Sequence, residues 1–121
     1  MLMYARDNVA DASDLQQRLP GGPEVEAATE MLRMLADGTR LRLMYLLSEG
    51  EHDVTALVAA VGMARPAVSQ HLGKLRLAGL VSVRREGRRA LYRAKGGHVR
   101  RLVTEVMHAA SHRVTGRPEH D

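Results

Sequence analysis

From Glu24 onward apolar residues recur every three or four positions, except in one stretch after Ala78-Gly79 where they alternate with polar ones. Val25, Ala28, Leu32 and Leu35 form one amphipathic stripe, which predicts a first helix. Asp37 is placed to cap a second helix through LRLMYLL that closes near Gly50, and Asp53 a third through VTALVAAV that stops at Gly62. Pro66 suits a first helical turn, where its missing N–H costs nothing, so a fourth helix is expected from Pro66 to Leu77 with Val68, Leu72 and Leu75 on its buried face. From His98 to His112, Val99, Leu102, Val103, Val106, Met107 and Ala110 share one side at about 100° per residue, marking a last helix.

The alternating stretch is VSVRR, then Glu86-Gly87, then RRALYR, a two-stranded hairpin around a tight turn. Two short helices joined by a Gly-containing turn, then a hairpin, describe a winged helix-turn-helix, mainly α with a small β-hairpin (α+β). The first and last helices carry more apolar surface than a small core requires, which predicts a homodimer joined through them. The breaker cluster Leu19-Pro20-Gly21-Gly22-Pro23 divides the chain into a flexible segment 1–22, a folded domain 23–112 and a loose tail 113–121. Within the first segment, Ser13 with Gln16 offers a weak capping box for a short helix at 14–19.

Composition sharpens this picture. The 121 residues include no Phe, Trp or Cys, so the core is aliphatic, and disulfides, thiolate catalysis and thiolate metal ligands are all excluded. No apolar run approaches the roughly 18 residues of a membrane span, and a cytoplasmic protein is expected. The net charge of +4 hides a segregation: residues 1–64 carry five Arg against ten acids, residues 65–121 thirteen Lys or Arg against four. The basic half is the candidate surface for a polyanion.

Within that half, Arg65, Ser69, Gln70, Gly73, Lys74 and Arg76 occupy the arc of the fourth helix opposite its apolar face. Arg65, Ser69 and Gln70 suit the reading of base edges in a major groove, Gln70 by a bidentate contact to adenine, whereas Lys74 and Arg76 suit phosphates. Arg84, Arg85, Arg88 and Arg89 flank the wing turn and fit phosphate clamping or minor-groove insertion, although charge also blunts exposed sheet edges. A symmetric dimer would place two such helices about one turn of duplex apart on an imperfect palindrome.

The stretches MLADGTRLRLMYLLSEG and DVTALVAAVGMARPAVSQHLGKLRLAGLVSVRREGRRALYR closely resemble the ArsR/SmtB family of bacterial metal-responsive repressors. The resemblance covers about Glu24 to His112, and residues 33–37 and 97–103 look most similar to actinobacterial nickel/cobalt sensors. It implies an operator-binding homodimer whose DNA affinity changes with metal. The ligand positions it implies on the last helix fall at Gly96, His98, Ala109 and His112, so two of four are absent.

Spacing offers another set. His98, Arg101, Glu105, His108 and His112 form a polar stripe spanning about 80°. At about 1.5 Å per residue His98 and His112 stand roughly 21 Å apart, so only two antiparallel copies could bring them to one ion. His98 of one chain would then meet His112 and His108 of the other, with Glu105 or the tail residue His120 completing a shell suited to Ni²⁺, Co²⁺ or Zn²⁺. The alternative is an interfacial polar stripe without metal, in a regulator answering to an accessory protein or another ligand. His71 is expected to pack or face phosphate, and His52 to lie in an exposed loop. An enzyme is not expected: there is no HExxH arrangement, no nucleophile with its base and no phosphate-binding glycine loop. Aromatic platforms for RNA are lacking too.

Overall fold

A computed structural model of the chain describes residues 11–116. The elements are α1 (Ala12–Arg18), α2 (Gly22–Leu35), α3 (Gly38–Glu49), β1 (His52–Asp53), α4 (Val54–Val61), α5 (Arg65–Leu77), β2 (Val81–Glu86), β3 (Arg89–Ala94) and α6 (Gly97–Thr115). The strands form one antiparallel sheet in the order β1-β3-β2.

The expected caps start the inner helices. Asp37 accepts the Arg40 N–H at 2.9 Å to open α3, and Asp53 accepts the Ala56 N–H at 2.9 Å to open α4. Pro66 lies in the first turn of α5. Helix α3 is the hub, packed against α2, α4, α5, α6 and β3. Its Leu43, Met44 and Leu47 meet Leu57 of α4, Val68, Leu72 and Leu75 of α5, Leu80, Val81 and Val103 in one buried aliphatic cluster. The predicted inner face of α5 is therefore fully used, and it fixes how that helix presents its other side.

The outer helices are only partly covered. Leu35 of α2 and Val99 and Val103 of α6 are buried, yet Val25 remains 48% exposed, Leu32 54% and Val106 43%. Covering the exposed half of each of these side chains would contribute about 1 kcal/mol, roughly half the value for full burial, and a second copy can supply that cover.

Several expectations need correction. The short helix expected within the N-terminal segment forms at residues 12–18, and its cap is Asp11, whose carboxylate accepts the Asp14 N–H at 2.9 Å; the Ser13–Gln16 capping box does not form. The helix therefore begins two residues before the expected 14–19 range. A third strand, β1, was not anticipated because two residues carry no periodicity; His52 pairs with Tyr92 in it and is not a loop residue. The hairpin turn is Gly87-Arg88, one residue later than Glu86-Gly87, since Glu86 pairs with Arg89 and Gly87 takes the positive φ of +61°. Helix α6 continues past His112 to Thr115 because nothing in Arg113-Val114-Thr115 breaks it, and it stops at Gly116 in the left-handed conformation. Residues 1–10 of the N-terminal segment and 117–121 of the tail, with His120, lie outside the described residues.

Candidate nucleic-acid interface

Ser69, Gln70, Gly73, Lys74 and Arg76 all lie on the exposed side of α5. The side chains of Ser69, Gln70, Lys74 and Arg76 make no hydrogen bond or ion pair among the described residues, so their polar groups are available to a ligand. Arg65, also exposed, donates from Nη2 to Thr55 Oγ1 at 2.7 Å, linking the start of α5 to the first turn of α4. His71 is half-buried and faces inward: its Nδ1 lies 3.4 Å from Nη1 of Arg40 on α3. Of the two roles expected for it, packing or facing phosphate, this contact fits the first.

The wing separates its four arginines into two kinds. Cross-strand partners share a face, so the register puts Ser82, Arg84, Glu86, Arg89, Leu91 and Arg93 on one side of the hairpin, with Asp53 of β1 beside Leu91. Arg84 reaches across the middle strand to Glu51, giving Nε–Oε2 at 2.8 Å and Nη2–Oε1 at 2.9 Å, and also pairs with Glu86 at 3.1 Å. Arg89 Nε donates to Asp53 Oδ2 at 3.2 Å. The Arg84 guanidinium holds the Glu51 carboxyl below the usual carboxylate range, and Glu51 and Glu86 together push Arg84 further up. Asp53 is held down first by the Ala56 N–H and then by Arg89.

Arg85, on the opposite face, and Arg88, in the turn, have no such partner among the described residues. The wing therefore offers two unanswered cations at its outer end. Sequence reasoning missed Glu51. Its signal was there in the alternation Glu51-x-Asp53, which places two carboxylates on one side of any strand formed from that segment.

The polar stripe of α6 is in place, with His98, Arg101, Glu105 and His108 exposed and His112 half-buried. Arg101 Nη2 lies 3.1 Å from His98 Nδ1. Among the described residues of one chain, no three His, Asp or Glu side chains gather closely enough to hold a metal ion. Nor is any described helix long and apolar enough to cross a membrane.

Comparison with known proteins agrees with this geometry. The family described as "Bacterial regulatory protein, arsR family" matches residues 37–83, from the cap of α3 into β2. The chain is 43% identical over 97 residues to the HTH-type transcriptional regulator KmtR of Mycobacterium tuberculosis, covering 80% of this chain and 75% of that protein. It is 41% identical over 86 residues to the HTH-type transcriptional repressor SmtB of the same species, covering 70% of this chain and 64% of that one. Among solved structures, the homodimeric winged helix-turn-helix DNA-binding domain of a possible ArsR-family regulator from Mycobacterium bovis superposes with a TM-score of 0.72 at 34% identity, covering 82% and 92% of the two chains. That neighbour is homodimeric. The chain thus belongs to the ArsR family of bacterial regulatory proteins, as a winged helix-turn-helix DNA-binding transcriptional regulator and not an enzyme.

Proposed function

We propose that the dimer represses transcription by holding an imperfectly palindromic operator, with the residues of α5 reading sequence and the wing tip gripping backbone. One observation carries this reading: Ser69, Gln70, Lys74 and Arg76 stand exposed, with no partner among the described residues, on a helix whose other face is locked into the core. A rigid helix with uncommitted polar side chains is suited to a groove. Gln70 and Ser69, in the N-terminal half of α5, meet base edges, and Arg65 supports them from beside Thr55. Lys74, Arg76, Arg85 and Arg88 take phosphates.

A second element of the proposal is a metal input. His98, Glu105, His108 and His112 share one strip of α6, and they are nitrogen and oxygen donors of the kind that Ni²⁺, Co²⁺ and Zn²⁺ accept. No such group closes among the described residues of one chain, and this reading takes the donors from both copies of α6 across the dimer. Arg101 must then give up His98 Nδ1, which makes the site dependent on a side-chain rearrangement.

Fluorescence anisotropy on duplex from the region upstream of the chain's own gene tests both elements. Binding by the metal-free dimer, with an affinity that shifts on adding Ni²⁺, Co²⁺ or Zn²⁺, is expected. Calorimetry on His98→Ala and His112→Ala should show tight metal binding lost. Unchanged metal affinity in both variants would remove the interhelical site and favour an input from another ligand or an accessory protein.

A further inference from the structure

The outer half of the wing has no hydrophobic anchor. From Arg84 to Arg89 every residue is exposed, and β1, which could brace the hairpin from the side, is two residues long. A two-stranded ribbon of that kind twists and swings readily. What ties this one down is a pair of carboxylates that precede the first helix of the helix-turn-helix. Glu51 takes Arg84 with both oxygens, at 2.8 and 2.9 Å. Asp53 divides its own: Oδ1 caps α4 through the Ala56 N–H at 2.9 Å, and Oδ2 takes Arg89 Nε at 3.2 Å. One carboxylate thus fastens the wing to the start of the helix that packs against α5.

The charges on that face balance. Glu51, Asp53 and Glu86 stand against Arg84, Arg89 and Arg93, while Arg85 and Arg88 are left without a carboxylate among the described residues. The side-on, two-bond geometry that Arg84 makes with Glu51 is also the geometry a guanidinium uses on phosphate, so the carboxylate occupies the contact a DNA backbone would need. Exposed ion pairs add little to stability, which leaves orientation as the main thing these can supply.

We propose that Glu51 and Asp53 are positioning residues for DNA binding. They fix the angle at which the wing presents Arg85 and Arg88, and they withhold Arg84 and Arg89 from phosphates, which restrains binding to unrelated sequence. The proposal rests on the wing contacting DNA, and Arg88→Ala examines that premise by itself.

The test uses the full chain with Glu51→Gln, Asp53→Asn, in which Asn keeps the cap on α4, and the charge exchange Glu51→Arg with Arg84→Glu. Each is titrated across salt concentrations on the best-bound duplex from a random-sequence selection and on an unrelated duplex. A freed arginine should find a phosphate, steepening the dependence of log affinity on log salt by about 0.9 per arginine. Affinity for the unrelated duplex should rise, so that the selectivity ratio falls several-fold, and the charge exchange should return both readouts toward wild type. Slopes and ratios equal to wild type in both single variants would overturn the proposal. So would a charge-exchanged protein with a flatter slope, because Arg84 would then itself be a phosphate contact. If Arg88→Ala leaves the slope unchanged, the wing reading fails and the proposal fails with it.

Discussion

The imidazole Nδ1 of His71 lies 3.4 Å from the Arg40 guanidinium, joining α5 to α3 across 31 residues of sequence. Arg40 is itself fixed at the α2–α3 corner, where its Nε donates to the Met34 carbonyl at 2.7 Å and its backbone N–H to the Asp37 carboxylate at 2.9 Å. The angle of α5 is thereby referred to the α2–α3 corner.

For Arg40 to donate, His71 must accept at Nδ1 and carry its ring proton on Nε2. Long-range ¹H–¹⁵N spectra should show that tautomer, and His71→Ala should lose about 1 kcal/mol of stability in urea unfolding. A protonated Nδ1, or a variant as stable as wild type, would contradict the link.

The proposed dimer interface uses side chains that one chain leaves half-covered, Leu32 at 54% exposed and Val106 at 43%. Leu32→Glu should place a charge in that interface and yield monomers at micromolar concentration by sedimentation, with α3–α5 still folded by circular dichroism. Its affinity for a palindromic duplex should fall at least tenfold, since half the contacts are lost. A variant that stays dimeric would move the interface elsewhere.

Acid sensitivity follows from three carboxylates held below their ordinary range: Asp37 by the Arg40 N–H, Glu51 by Arg84, and Asp53 by the Ala56 N–H and Arg89. Groups depressed in the folded state stabilise it fully above their unfolded values, about 4, and that contribution disappears as pH falls through the folded values. Thermal stability should therefore be level between pH 5 and 7 on account of these groups and fall below about pH 4. The double variant Asp37→Asn/Asp53→Asn keeps side chains that cap and should show a shallower fall by calorimetry; a fall as steep as wild type would contradict the assignment.

Most of the helical framework was legible because caps and periodicity act locally. Asp37, Asp53 and Pro66 each mark a helix start within a few residues, and Val68, Leu72 and Leu75 are buried as their spacing required. What escaped depends on contacts remote in sequence. Strand β1 exists because β3 is there to pair with it, and Glu51 meets Arg84 only after the sheet assembles. Composition gave four equivalent arginines in the wing; the fold divides them into two engaged by carboxylates and two with no carboxylate partner among the described residues.

The central claim is that α5 reads sequence while the wing tip holds backbone, and one paired titration addresses it. Gln70→Ala and Arg88→Ala are measured on the best-bound duplex, a base-changed duplex and an unrelated one, each at two salt concentrations. Gln70→Ala should lose about 1–3 kcal/mol of discrimination at one base pair with its salt dependence intact, whereas Arg88→Ala should weaken all three duplexes alike and flatten the salt slope by about 0.9. Equal effects of the two substitutions on every duplex and at both salts would contradict the division of roles.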